Sequence, residues 1–330
     1  TRASDVLIIT YSSSNEFIER TFLDEGFKEL ISRGIINGAT SNPAIFKSAI
    51  LTSPAYKEQL SELNGLSAKE KYEALAVYDI QKAADILRPL YEAGDDGYVS
   101  IEVDPFLCDD AEGTISEGIR LHTTIGRPNV MIKVPATEAG YAAMEALASR
   151  GIPVNATLIF SVAQALACVR AFERAAAKAS ETVDTVISVF VSRIDRAIDG
   201  TLASKEVAQG LTGIMNAADI YNRVEALGVP KCRVLFASTG VKGEDMRPSY
   251  YVDELLAPGS VNTAPVATIE AYVRGGDRTM KLPLTESTIL DHMNAVAAAG
   301  ISMETIIDEQ IREGLEAFKI AFNEILSALE

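Results

Sequence analysis

The chain has 330 residues, 48% of them hydrophobic, with 30 basic and 46 acidic side chains and a formal charge of −16. That balance argues against nucleic acid and anionic membrane surfaces as partners, and no run of 18 apolar residues offers a membrane span. Three widely spaced cysteines without a CxxC (Cys108, Cys168, Cys232) predict a reducing compartment rather than a disulfide framework. The two histidines, His122 and His292, give a histidine-based metal site or a Ser-His-Asp triad little to draw on.

The first residue is threonine rather than methionine, which raises the expectation of a processed or truncated N-terminus; no signal peptide is legible. One strand is expected in the N-terminal 15 residues. β-rich runs then follow at 34–41, 97–104, 129–136, 153–160, 185–192, 233–239 and 260–264. Helical patterns lie between them at 68–93, 112–125, 138–149, 161–179, 205–227 and 266–273. The stretch 274–284, with Gly275-Gly276 and Pro283, reads as a loop. Beyond it runs a long C-terminal helix whose apolar residues Ile307, Ile311, Leu315, Phe318, Phe322, Ile325 and Leu329 recur at spacings of three and four, the stripe of a core-packed helix. Alternating strands and helices imply a parallel sheet. Eight strands predict an α/β fold, a single (β/α)8 TIM barrel over 1–330 with an additional long C-terminal helix, 274–330 supplying the loop and C-terminal helices. A doubly wound open sheet is the alternative, but no GxGxxG follows any strand.

Side chains alternate faces along a strand. Val99, Ile101 and Val103 share a face, and Ser100, Glu102 and Asp104 the other. Val154, Ala156, Leu158 and Phe160 oppose Asn155, Thr157 and Ile159; Ile187, Val189 and Val191 oppose Ser188, Phe190 and Ser192. With the polar faces pointing inward, the mouth of the barrel gathers Asn42, Glu102, Lys133, Asn155, Thr157 and Ser188. Barrel active sites form at the C-terminal ends of strands. Lys133 lies in an otherwise apolar run, Val130 to Ala136. Burial there disfavours the ammonium and favours a neutral amine, a nucleophile for ketones. A carboxylate can move protons as a carbinolamine loses water, a hydroxyl can position that water, and amides can hold sugar hydroxyls. The bland alternative for Lys133 is a structural ion pair with Glu102.

At these residues the chain resembles transaldolase. Thr40-Ser41-Asn42-Pro43-Ala44-Ile45-Phe46 is similar to that family's signature after its second strand. Ile132-Lys133-Val134-Pro135-Ala136-Thr137 followed by Gly140 resembles the segment bearing the Schiff-base lysine. Gly151 to Ser161, Ile187 to Asp195, Ala237 to Lys242 and Val261 to Pro265 resemble the fifth to eighth strands. The resemblance spans about residues 22–270 and is nearest to the longer bacterial and plastid-type members. It implies a cofactor-free enzyme of the pentose phosphate pathway, with sugar phosphates as partners and no metal. The expected location is the cytoplasm, or the plastid stroma where the N-terminus is a processed transit-peptide product; the expected state is a monomer or homodimer.

Carried over, Lys133 binds the ketose carbonyl carbon, and Glu102 and Thr157 hold the water that shuttles protons. Asn42 and Asn155 bind hydroxyls of the three-carbon unit, with Ser188 beside them. Arg193 and Ser238 hold the phosphate, assisted by Lys242, which comes later in its loop than in shorter relatives. The alternative for Arg193 is a surface pair with Asp195 or another carboxylate. One departure stands out: the family's first strand carries an aspartate, in a Trp-x-Asp segment, as the base for the C4 hydroxyl. This chain has no tryptophan, and Glu16 falls at the aspartate position if Phe17-Ile18-Glu19 is aligned with the family. The run Val6-Leu7-Ile8-Ile9 is the other candidate for the first strand, with Ser12–Ser14 then a loop. Two other readings stand beside the main one: a related aldolase releasing free dihydroxyacetone, and a non-catalytic sugar-phosphate-binding barrel. Glu102 and Phe190 weigh against the first, since those relatives tend to carry an amide and a tyrosine there; the intact Lys133–Glu102–Thr157 set weighs against the second.

Overall fold

The structure, a computed structural model, describes residues 6–10, 20–242 and 246–330. It forms a closed barrel of eight parallel strands in chain order: β1 (Val6–Thr10), β2 (Gly38–Thr40), β3 (Val99–Glu102), β4 (Val130–Pro135), β5 (Val154–Ile159), β6 (Thr185–Phe190), β7 (Cys232–Ala237) and β8 (Val261–Ala264). β1 pairs with both β2 and β8, so it closes the ring. Of the two first strands left open by the sequence, Val6–Thr10 is the one observed; Glu16 lies outside the described residues.

The helices are α1 (Arg20–Asp24), α2 (Gly26–Ser32), α3 (Pro43–Thr52), α4 (Lys57–Glu62), α5 (Ala68–Glu92), α6 (Ala111–Ile125), α7 (Glu138–Ala148), α8 (Val162–Lys178), α9 (Ser192–Ala203), α10 (Thr212–Leu227), α11 (Tyr250–Glu254), α12 (Val266–Gly275), α13 (Glu286–Ala298) and α14 (Met303–Leu329). Their starts are chemically marked. Ser67 and Glu70 form a capping box at α5, and Asp110, Thr137, Ser161, Thr285 and Ser302 each accept a backbone N–H at the first turn of α6, α7, α8, α13 and α14. None of the described helices is long and apolar enough to cross a membrane.

Two expectations need correction. The helix expected over 205–227 starts only at Thr212, because Glu206 and Gly210 adopt left-handed φ of +57° and +67° and break the chain there. A separate helix, α9, precedes the break and begins directly after β6, inside the run read as strand end. The alternation expected along 153–160 fails after Thr157. Leu158 has φ +58°, and the pairing of β5 with β6 shifts between Ala156 and Ile159. That bulge turns Leu158 and Phe160 toward the inner cluster, with Met131, Phe190 and Leu235, while Ile159 joins Val154 and Ala156 under the helices. The alternations in β3 and β6 hold: Val99, Ile101, Val103, Ile187, Val189 and Val191 all pack beneath the helices.

α14 does more than pad the outside of the barrel. It packs on α3, α5, α9 and β5, and Phe318 packs in the core as its place in the apolar stripe implies, within the inner cluster.

Candidate active site

Strand register sets the centre of the mouth. Glu102 pairs with Lys133 across β3 and β4, Lys133 with Asn155 across β4 and β5, and Pro135 with Thr157 one step further out. Parallel pairing at one level therefore puts a carboxyl, an amine and an amide side by side on neighbouring strands. All are buried: Glu102 is 6% exposed, Lys133 5%, Asn155 1% and Thr157 0%.

Lys133 Nζ lies 3.4 Å from Glu102 Oε2 and donates a long bond, also 3.4 Å, to the Ser41 carbonyl. The Phe318 ring covers it, with Nζ 5.8 Å from the centroid. Ser41 is held for this by β3, its N–H and Oγ both donating to Ser100 O at 3.1 and 2.8 Å. The Ser41 of the Thr-Ser-Asn-Pro run thus presents a carbonyl to the lysine. The ion pair expected as the bland alternative is present but loose. Its geometry falls short of a hydrogen bond, and both Glu102 oxygens and the Thr157 hydroxyl are buried without a hydrogen-bonding partner among the described residues. Burial pushes the Glu102 carboxyl up to about 7, against the opposing pull of Lys133. A carboxyl that changes charge near neutrality, beside an amine and an unsatisfied hydroxyl, can take or give a proton there.

A polar chain holds Asn155. Ser188 Oγ donates to Asn155 Oδ1 at 2.6 Å, and Asn155 Nδ2 donates to Ser100 Oγ at 3.0 Å. Ser188 therefore orients the amide. Asn42 is half-buried between β2 and α3, at the same end of the barrel.

The second part of the mouth lies where β6 and β7 end. Ser192, the first residue of α9, and Ser238, with φ +55° after β7, face each other with Oγ atoms 3.1 Å apart, and Ser192 N–H donates to Ser238 O. Arg193 is half-buried, its guanidinium 5.3 Å over the Phe190 ring, and it makes no ion pair with a carboxylate among the described residues. Asp195 is not its partner. Fully buried, Asp195 accepts Gly213 N–H and the Tyr251 hydroxyl at 2.8 and 2.9 Å. Burial pushes its carboxyl up to about 6 against those two bonds. Lys242 is exposed beyond β7.

Three contributors were not assigned to the site from sequence. Phe318 covers the lysine. Gly314, one turn earlier on α14, lets that helix approach: a Cβ there would stand 2.9 Å from Leu158 Cδ2 and 3.4 Å from Arg193 Nη1. Gln164 secures the β5 bulge, its Nε2 donating to Ala136 O and Leu158 O and its Oε1 accepting Phe160 N–H. The Ser161-x-x-Gln164 spacing of a capping box was the available signal for the last of these. Gly140 of the lysine segment has its own cause, since a Cβ there would lie 2.0 Å from Pro135 O.

The model of the transaldolase/fructose-6-phosphate aldolase family matches residues 14–329. A protein named transaldolase from Campylobacter jejuni strain 81-176 is 45% identical over 325 residues, covering 95% of this chain and 98% of that protein. One of the same name from Helicobacter pylori strain Shi470 is 43% identical over 314 residues, covering 95% of this chain and 97% of its own length. With this likeness running through the barrel and its C-terminal helices, the chain belongs to the transaldolase/fructose-6-phosphate aldolase family.

Proposed function

We propose that the chain is a transaldolase that moves a dihydroxyacetone unit from a ketose phosphate (sedoheptulose 7-phosphate or fructose 6-phosphate) to an aldose phosphate (glyceraldehyde 3-phosphate or erythrose 4-phosphate), as in the pentose phosphate pathway. The observation that carries this reading is the buried Lys133 amine, 3.4 Å from Glu102 on the next strand and level with Asn155 on the other side. The amine attacks the ketose carbonyl. Glu102 supplies the proton with which the carbinolamine hydroxyl leaves as water, and the Thr157 hydroxyl holds a water for that transfer. Asn155, oriented by Ser188, and Asn42 hold hydroxyls of the three-carbon unit. Arg193 and Ser238 take the phosphate, with Lys242 at its outer edge; a guanidinium offers the fork of donors that a phosphate accepts. Glu16 is the proposed base for the C4 hydroxyl.

Borohydride trapping with fructose 6-phosphate tests this, run beside a coupled assay with and without erythrose 4-phosphate. A reduced three-carbon adduct on Lys133, with turnover dependent on the acceptor, supports transfer. Turnover without acceptor indicates the aldolase reading, and no adduct indicates a binding barrel. Lys133→Met should abolish both the adduct and transfer in a folded protein; near-normal turnover in that variant would overturn the imine mechanism.

A further inference from the structure

Behind Glu102, on the helical side of the barrel, lies a cavity of about 10 Å³, room for about one water, walled by Glu102, Tyr72, Lys69, Asp104 and Glu117. Its outer edge is a closed cluster. Lys69 Nζ donates to Asp104 Oδ2 at 2.7 Å and to Glu117 Oε2 at 2.8 Å, and Asp104 N–H donates to Glu117 Oε1 at 2.6 Å. Lys69 is 36% exposed, so this cluster meets solvent, whereas the Glu102 side chain is only 1% exposed. Tyr72 lines the same cavity as both, its ring edge-on against Phe46 and Phe322. Burial, then the Glu102 charge, keeps the Tyr72 phenol protonated well above the usual range, so it serves as a donor. Apart from Glu102, the proposed Lys133 reaction uses none of these groups.

We infer that this cavity holds a water linking the Glu102 carboxyl, through the Tyr72 hydroxyl and the Lys69–Asp104–Glu117 cluster, to solvent behind the barrel, and that Tyr72 is a positioning residue for proton transfer by Glu102. The inference rests on the role given to Glu102 above. The chemistry creates the need. When a neutral amine adds to a ketone, a C–N bond forms. When the carbinolamine dehydrates, its C–O bond breaks and the hydroxyl leaves as water. The net change is uptake of one proton for each cationic imine formed, and that proton returns on hydrolysis. Glu102 gives the proton while the sugar fills the mouth and Phe318 covers the amine. A second route on the opposite side reloads the carboxyl without opening the mouth. Among the described residues, the charged groups around Glu102 and its cavity are Lys133 on β4, Lys69 and Glu73 on α5, Asp104 after β3 and Glu117 on α6, while α14 contributes Phe322 to the cavity wall and Phe318 over Lys133.

The test is the pH profile of kcat, with KM and melting temperature, for Tyr72→Phe, Lys69→Met and Glu102→Gln. Tyr72→Phe keeps the ring packing. It should lower kcat roughly three- to tenfold, a fraction of what general acid–base catalysis contributes, with KM unchanged. The pH limb that Glu102→Gln abolishes should move upward in Tyr72→Phe, because the charged carboxylate loses a donor. Lys69→Met should move that limb the same way by removing a nearby cation, and it decides the matter if Tyr72→Phe melts too low to assay. A wild-type kcat and limb position in a folded Tyr72→Phe, or an unmoved limb in Lys69→Met, overturns the inference while leaving the proposed function standing. Near-normal turnover by Glu102→Gln removes the role of Glu102 itself, and the inference with it.

Discussion

Glu102 is the residue whose charge state the medium decides. Burial raises its carboxyl to about 7, so the neutral acid is the favoured native form below that. Stability from this group is fully present below the ordinary carboxylate range and is lost as pH rises through about 7. Activity should show a limb in the same place, near pH 7, absent from Glu102→Gln; a rate profile flat from pH 5.5 to 8.5 would contradict it. Arg193 makes a separate prediction. Charge-assisted hydrogen bonds contribute about 1.5–3 kcal/mol each, so Arg193→Ala should weaken phosphorylated donors by about one to two decades, with unphosphorylated fructose used as poorly as before. Equal losses on both sugars would make the arginine structural. These side chains were legible because β3 and β6 keep strict alternation and the lysine interrupts an apolar run. Leu158 was not, because nothing in its identity announces a left-handed backbone, and one such residue reverses the face of everything after it in β5. The proposed base, Glu16, lies outside the described residues, and the first strand among those described is Val6–Thr10.

Elements carry the end of the mouth where the phosphate is proposed to bind. Asp195 ties the first turn of α9 to α10 through Gly213 and to α11 through Tyr251, two residues from Arg193. Its carboxyl is raised from 3.8 to about 6, so its contribution to stability is present below about pH 4 and lost as pH climbs through 6. Asp195→Asn cannot titrate. Its stability relative to wild type should therefore improve by up to about 3 kcal/mol between pH 4 and pH 7, read by denaturant unfolding at both pH values; a pH-independent difference would contradict this. On α14, Gly314→Ala puts a methyl 2.9 Å from Leu158 Cδ2, whose side chain must turn aside on a backbone that Gln164 holds in place. The expected cost is about 1–3 kcal/mol of overpacking, with a raised KM for phosphorylated donors as Arg193 is displaced. α9 itself was hidden in the sequence because β6 passes into it without an intervening turn, and the real break, at Glu206 and Gly210, falls within an otherwise helical pattern.

At the level of the whole molecule, the barrel followed from alternating strand and helix patterns and the order of its motifs. Its cover did not. Phe318 sits in a regular three–four stripe, and periodicity distinguishes a buried face from an exposed one without saying whether the face meets a helix or a reacting centre. Phe318→Leu should leave the fold intact and admit water to the imine. Free dihydroxyacetone released without acceptor should then rise relative to transfer, as enzymatic assay of both products would show; an unchanged ratio would mean that the ring does not shield the imine.

The route of the chain adds a temporal consequence. Ring closure needs only β8, which ends at Ala264, whereas the ring over Lys133 arrives with Phe318, more than fifty residues later. A nascent chain emerging from the ribosome can therefore complete its barrel with the amine still uncovered. During that interval the amine meets whatever aldehydes and ketones the surroundings hold, so the arrival of α14 also ends the period in which the proposed nucleophile is open to adventitious adducts.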